Sequence, residues 1–208
     1  MSQNEPASAP YIAHLTVRPS NFYLTERQVA ERIGREYLVI DESPIEDVVE
    51  AAEPMLLIND ILWNRMHTEI DVKTTSEDPY QSYDEMVDHI DSGKLLIYTG
   101  GSHPTYFTHS DREDRVGNII GRGVHDYFGH YKHNVDFSFW GEFQKWHHMK
   151  DHYPETSQRL LFSEVVGQSG LAWYLDGGFS HPDYVQKPIL APQRWIDFCY
   201  DNCPIDLD

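Results

Sequence analysis

QRLLFSEVVGQSGLAWY, residues 158–174, reads as one long core helix with a single carboxylate, Glu164, set among Leu160, Leu161, Phe162, Val165 and Val166. Thr156 precedes it as an N-cap, and Gly177-Gly178 follows as a stop. An unpaired carboxylate in such surroundings is costly to bury, so Glu164 is expected to meet a partner, and a metal ion is the candidate. Gln168 lies one turn further on the same face, placed to orient a ligand or a bound water.

Helical signals extend on both sides of this stretch. Thr25-Glu26-Arg27-Gln28 has the capping-box pattern, which predicts a helix through Val29 and Ile33. Ser43-Pro44 predicts another, interrupted or restarted at Pro54. Its continuation MLLINDILWNRM has Leu57, Ile58, Ile61, Leu62 and Met66 at helical spacing and therefore in the core. Ser82 opens a helix that ends near Gly93, Ser110 or Asp111 one that runs to Val124, and Ser138 one over FWGEFQKWHHMKDH. A short helix is expected from Gln193 to Tyr200. Strand signals are few: Leu38-Val39-Ile40, and Lys94 to Tyr98 closed by Gly100-Gly101, a turn rather than a phosphate loop. The expected fold is mainly α, a single helical domain with at most a small β-sheet. Residues 1–20, with three prolines, read as a loose N-terminal arm, and 21–208 as a single metal-binding domain.

The bulk composition narrows the function. An aromatic content of 13% argues against general disorder. A net charge of −18, with 34 acidic against 16 basic residues, repels nucleic acid and anionic membranes, so no nonspecific nucleic-acid binding is expected. No apolar run approaches the ~18 residues of a membrane span, and no signal-peptide pattern opens the chain, so a cytoplasmic protein that does not engage a membrane is expected. Two cysteines, Cys199 and Cys203, are too few for a disulfide framework and read as reduced thiols. The aromatic run Phe137, Phe139, Trp140, Phe143, Trp146 reads as core.

The chemistry centres on Val124-His125-Asp126-Tyr127-Phe128-Gly129-His130. Two histidines followed by a carboxylate from a later helix form the sequence signature of a two-His, one-carboxylate metal site, which leaves other positions on the ion open. His125 and His130 stand at i and i+5, which in a regular α-helix turns them about 140° apart. The spacing counts against a His-Glu-x-x-His peptidase. Convergence requires a helix break or a π-bulge, tolerated at Gly129. The expected ligands are His125, His130 and Glu164. Asp126, Glu142, Gln168 and His148 (or its neighbour His147) are the candidate catalytic and supporting groups. The other histidines read as surface or loop residues.

Two resemblances attach to these motifs. His125, Gly129 and His130, with Glu164 at a similar remove, resemble the iron site of the aromatic amino acid hydroxylases, although Asp126 stands where that motif has Glu and no Pro-Leu follows His130. This resemblance implies non-haem Fe(II), oxygen activation and a mainly helical fold. The second resemblance is to a phage-encoded domain of unknown activity. It is carried by Asn118, Arg122, Val124 to Asp126, Phe128 to His130, Gly141-Glu142, Trp146, Tyr153, Glu164 and Gly167-Gln168. It implies a viral or mobile-element origin, hence the host cytoplasm, with virion association and contacts to other viral proteins as the alternative.

Four functions compete. The first is an Fe(II) oxygenase or hydroxylase acting on a small molecule or a side chain. The second is a hydrolase using zinc or another divalent metal with the same ligands, Glu142 or Asp126 serving as base. The third is a phosphohydrolase built on His109 and the His125-Asp126 doublet. The fourth is a non-enzymatic viral protein with a structural metal site, closed by Glu142 or His148.

Overall fold

The computed structural model describes residues 24–101, 104, 106, 115–176 and 178–207. Helices dominate: α1 (Glu26–Val39), α2 (Ile45–Glu69), α3 (Tyr83–Asp91), α4 (Arg115–Val124), α5 (Phe139–Met149), α6 (Glu155–Phe162), α7 (Gln168–Tyr174) and α8 (Gln193–Asn202). Strands β1 (Asp71–Thr75) and β2 (Lys94–Tyr98) pair in parallel across α3, from Asp71 opposite Lys94 to Thr75 opposite Tyr98. The fold is thus mainly α with one two-stranded sheet. No helix among the described residues is long and apolar enough to cross a membrane. The N-terminal arm and the proposed cap at Ser110 or Asp111 lie outside the described residues.

Thr25 caps α1 through the full reciprocal capping box with Gln28. The strand expected at Leu38-Val39-Ile40 is instead the end of this helix. Lys187 Nζ donates to the carbonyls of Leu38 (2.7 Å) and Ile40 (2.8 Å), which satisfies helix-end acceptors that β-branched propensity alone would have released.

Helix α2 runs unbroken through Pro54. Pro54 has no N–H for the Glu50 carbonyl, and next to it Ser157 Oγ donates to the Ala51 carbonyl at 2.6 Å, tying α6 to this turn. The expected inner face of α2 is corrected in part: Met66 is buried and Ile58 and Leu62 pack against the core, as expected. Leu57 and Ile61 are exposed (59% and 61%), while Met55, Leu56, Asn59 and Met66 are buried. A polar residue disguised the inner face: Asn59 is held inside by a 2.7 Å bond from the Tyr153 hydroxyl. Helix α6 begins at Glu155 after Pro154, so Thr156 is not its cap.

Two apolar cores result. One gathers α2, α3, β2, α4 and the Tyr127-Phe128 pair. The other gathers α1, α5, the α6–α7 region and α8, with Phe139, Trp140, Phe143 and Trp146 at its centre. Phe137 stays at the margin, 38% exposed. Cys199 and Cys203 are free thiols buried in the second core.

Helices α1 and α7 cross at a glycine pair. A Cβ on Gly34 would stand 2.1 Å from the Gly170 carbonyl oxygen, so only hydrogen allows this approach. Gly34→Ala is expected to cost about 3 kcal/mol by overpacking. Gly121→Ala, inside α4 with its nearest neighbour at 3.8 Å, is expected to stabilise by up to about 1 kcal/mol. Urea unfolding of the two variants beside the native protein checks both signs.

Candidate metal centre and its cavity

The chain widens into a π-helix over His125–Tyr131, immediately after α4. The widening is seen in the i to i+5 bond from Lys132 N–H to the Tyr127 carbonyl, 2.9 Å. It brings His125 and His130 onto one side, with Nε2 atoms 2.9 Å apart and ring centroids 4.6 Å apart. A second π-helix, Ser163–Gly167, carries Glu164, with Gln168 N–H reaching the Ser163 carbonyl. Each stretch singled out in the sequence therefore contains a π-turn, and the long helix expected over 158–174 is α6 and α7 joined through one.

His130 is fully buried and rigidly held. Its Nδ1–H donates to the Val135 carbonyl at 3.0 Å, and the edge of Phe137 meets its ring at 4.9 Å between centroids. The Nε2 lone pair is then free to face outward. The carboxylate that joins the two imidazoles is Glu142, from the first turn of α5 behind the Ser138 cap. Its Oε1 lies 3.5 Å from His130 Nε2 and 3.7 Å from His125 Nε2.

Those three distances define a triangle whose circumcentre is about 2.0 Å from each corner, close to the 2.0–2.2 Å of metal–nitrogen and metal–carboxylate bonds. The other Glu142 oxygen, Oε2, is buried and has no hydrogen-bond partner among the described residues. A buried carboxylate oxygen without a donor is what a missing cation would leave. The cluster of His125, His130 and Glu142 could hold a metal ion, and among the described residues it is the only such group.

Glu164, expected from the sequence as the third ligand, takes a different set of partners. Its Oε1 accepts from the Tyr106 hydroxyl (2.6 Å) and its Oε2 from Gln168 Nε2 (2.8 Å). Gln168 is fixed in turn, its Oε1 accepting from the Tyr184 hydroxyl (3.0 Å) and Gln186 Nε2 (2.9 Å). Asp126 Oδ1 lies 3.9 Å from His125 Nε2. His148 stacks face to face on His133 at 4.4 Å, outside the triangle. His147 bonds the Tyr200 hydroxyl. His109 lies outside the described residues.

Lys145 was not anticipated. It is 2% exposed and brings Nζ to 2.6 Å from His125 Nδ1. Its stem passes where a side chain at Gly129 would be, since a Cβ there would stand 2.6 Å from Lys145 Cγ. The glycine provides clearance as well as tolerating the π-turn. Without an ion the protons are ordered: Lys145 donates to His125 Nδ1, His125 Nε2–H donates to His130 Nε2, and His130 Nδ1–H donates to Val135. With an ion, His125 must turn its Nε2 lone pair to the metal and carry its proton on Nδ1, which fits only a neutral Lys145 amine. Burial already lowers this lysine to about 8.

Burial shapes the carboxylates too. It pushes Asp126 up to about 7, with nearby His130 and Lys145 pulling the other way. It pushes Glu164 up to about 7 against the Tyr106 and Gln168 hydrogen bonds. His125, Asp126, Glu142, Lys145, Glu164 and Gln168 all line one cavity of about 740 Å³, the size of a small-molecule site. Asn118, Arg122 and Tyr153 line it as well.

No protein-family model, curated protein or solved structure matches the chain.

Glu164 generates a pH prediction for the metal-free protein. Its folded value of about 7 lies above the ordinary 4.5, so the folded state holds a proton that the unfolded chain releases. The associated stability is full below the unfolded value and is lost as pH rises through the folded one. Glu164→Gln, which mimics the neutral acid, is expected to match the native protein at pH 4, below the unfolded value. At pH 8 it should exceed it by about 1–2 kcal/mol, a fraction of the full linkage value. Urea midpoints at the two pH values measure this, and a variant weaker at pH 8 would contradict it.

Proposed function

We propose that this chain is a metal-dependent enzyme that holds non-haem Fe(II) through His125, His130 and Glu142 and acts as an oxygenase or hydroxylase. Its substrate is a small molecule or a side chain entering the adjoining cavity. The observation that carries the reading is the triangle of two Nε2 atoms and one carboxylate oxygen, sized for one ion, beside the orphaned Glu142 Oε2. Three protein ligands rather than four argue for a working site over a closed structural one. A two-His, one-carboxylate set with open positions is the arrangement best known for iron. The resemblance of His125, Gly129 and His130 to the hydroxylase motif supports the same choice. The resemblance running from Asn118 to Gln168 makes a viral origin part of the proposal.

The ion supplies Lewis acidity and, as iron, redox chemistry toward oxygen. The protein's own groups do the rest. Val135 and Phe137 fix the His130 ring, Lys145 sets the His125 tautomer, and Asp126 Oδ1 lies 3.9 Å from His125 Nε2, beside the triangle, where a group bound to the ion would be within its reach. That position of Asp126 also favours a second reading, a zinc or other divalent-metal hydrolase in which Asp126 acts as the base.

The test is elemental analysis of untagged protein purified without added metal, beside His130→Ala and Glu142→Gln. Near-stoichiometric iron, lost in both variants, is the expected result, together with substrate-dependent oxygen uptake. Stoichiometric zinc and turnover under argon would shift the assignment to the hydrolase. No metal in any sample, even after anaerobic Fe(II) loading, would sink both readings and leave the Lys145–His125–His130 chain as a structural network.

A further inference from the structure

Glu164 has a role that the metal triangle does not use. It sits on the second π-helix and lines the cavity. Its hydrogen-bond donors, Tyr106 and Gln168, are neutral. Among the described residues it forms no ion pair, and no lysine, arginine or histidine contributes to its electrostatic surroundings. The cations of the same cavity are engaged elsewhere. Arg122 Nη1 donates to the carbonyls of Tyr98 and Gly100, both at 2.7 Å, and Lys145 faces His125.

A carboxylate has about four acceptor positions, and donors among the described residues fill two of these. Gln168 cannot swing away to fill a third, because Tyr184 and Gln186 hold its oxygen. The open acceptor positions therefore suit N–H donors that arrive through the cavity. The wall beside Glu164 is aromatic and apolar: Leu161, Val165, Phe179 and Tyr184 line it, with Phe179 and Tyr184 edge to face at 5.2 Å. A buried anion next to aromatic rings selects a cation on both counts, through charge pairing and through the electron-rich ring faces.

We infer that Glu164 is the recognition group for a substrate bearing a primary ammonium or guanidinium on an apolar or aromatic body. Glu164 and Gln168 hold this nitrogen at one wall, and the body of the molecule extends toward His125, His130 and Glu142. A quaternary ammonium is not the fit, because it offers no N–H to the open carboxylate positions. The inference names the substrate class of the proposed metal enzyme and rests on that reading for the reaction, though not for the binding.

The experiment is calorimetric titration at pH 8 with benzylamine and with benzyl alcohol, its neutral isostere, on native protein, Glu164→Gln and His130→Ala. Melting curves establish that each variant is folded, and elemental analysis gives each metal content. Benzylamine is expected to bind native protein at least tenfold tighter than benzyl alcohol, about 1.4 kcal/mol. Glu164→Gln should lose the preference while keeping its metal. His130→Ala should lose its metal while keeping the preference. Equal binding of the two compounds to native protein, including no binding by either, overturns the inference, as does a preference that survives in Glu164→Gln. Loss of metal in Glu164→Gln also overturns it, because Glu164 would then be a ligand. A preference found in native protein that carries no metal supports the amine site and sinks only the metal reading.

Discussion

The π-turn at His125–Tyr131 is the constraint from which the site follows. An α-helix would set His125 and His130 on different faces. One extra residue per turn moves their Nε2 atoms to 2.9 Å, a separation at which they either share a proton or share an ion. A widened turn is less favourable than a regular one and is frequent where function needs it. Here its cost is offset by anchors at both ends. Tyr127 and Phe128 enter the first core, and at the other end His130 exchanges two bonds with Val135, Nδ1–H to the Val135 carbonyl and Val135 N–H to the His130 carbonyl. The second π-turn, at Ser163–Gly167, brings Glu164 to the same cavity.

The site lies where the two apolar cores meet, and that position explains its electrostatics. Lys145 approaches from α5, in the second core, across Gly129 to the His125 ring in the π-turn adjoining the first. Buried between the cores, it cannot hold its proton as a surface lysine does. In the proposed site this 2.6 Å contact would let the lysine, when protonated, orient the imidazole toward a hydrogen-bonded pair, and a neutral lysine would leave the imidazole able to serve as a ligand.

Much of this was legible in the sequence, and the exceptions have physical causes. The i, i+5 histidine spacing demanded either a helix break or a π-turn because no regular helix satisfies it, and the structure has the π-turn. Capping signals at Thr25, Ser82 and Ser138 marked true helix starts. Leu57 and Ile61 of α2 were misplaced because apolar residues surround the helix, and only the long-range bond from Tyr153 reveals that Asn59 faces inward. Val39 and Ile40 looked like strand until Lys187, nearly 150 positions away, supplied the helix-end donors. Lys145 gave no local signal at all. Its one clue was the glycine at 129, which reads as flexibility in a linear chain and as clearance in space.

The division of labour between Glu142 and Glu164 was hidden for the same reason, and it is the most consequential. Both are carboxylates on helices near aromatic residues, and the apolar flanks of Glu164 made it the natural ligand. What separates them is the company each side chain keeps. Glu142 has one oxygen facing two imidazole nitrogens and the other facing no donor, an arrangement that is costly unless a cation is present. Glu164 has both oxygens served by neutral donors, and its burial, working against those bonds, favours the protonated and uncharged form when alone. On the proposed reading the first would hold an ion in place, and the second would meet a charge that comes and goes with the substrate. Two acids of the same chemistry, in one cavity, have different environments, as in other sites where paired carboxyl groups diverge in function.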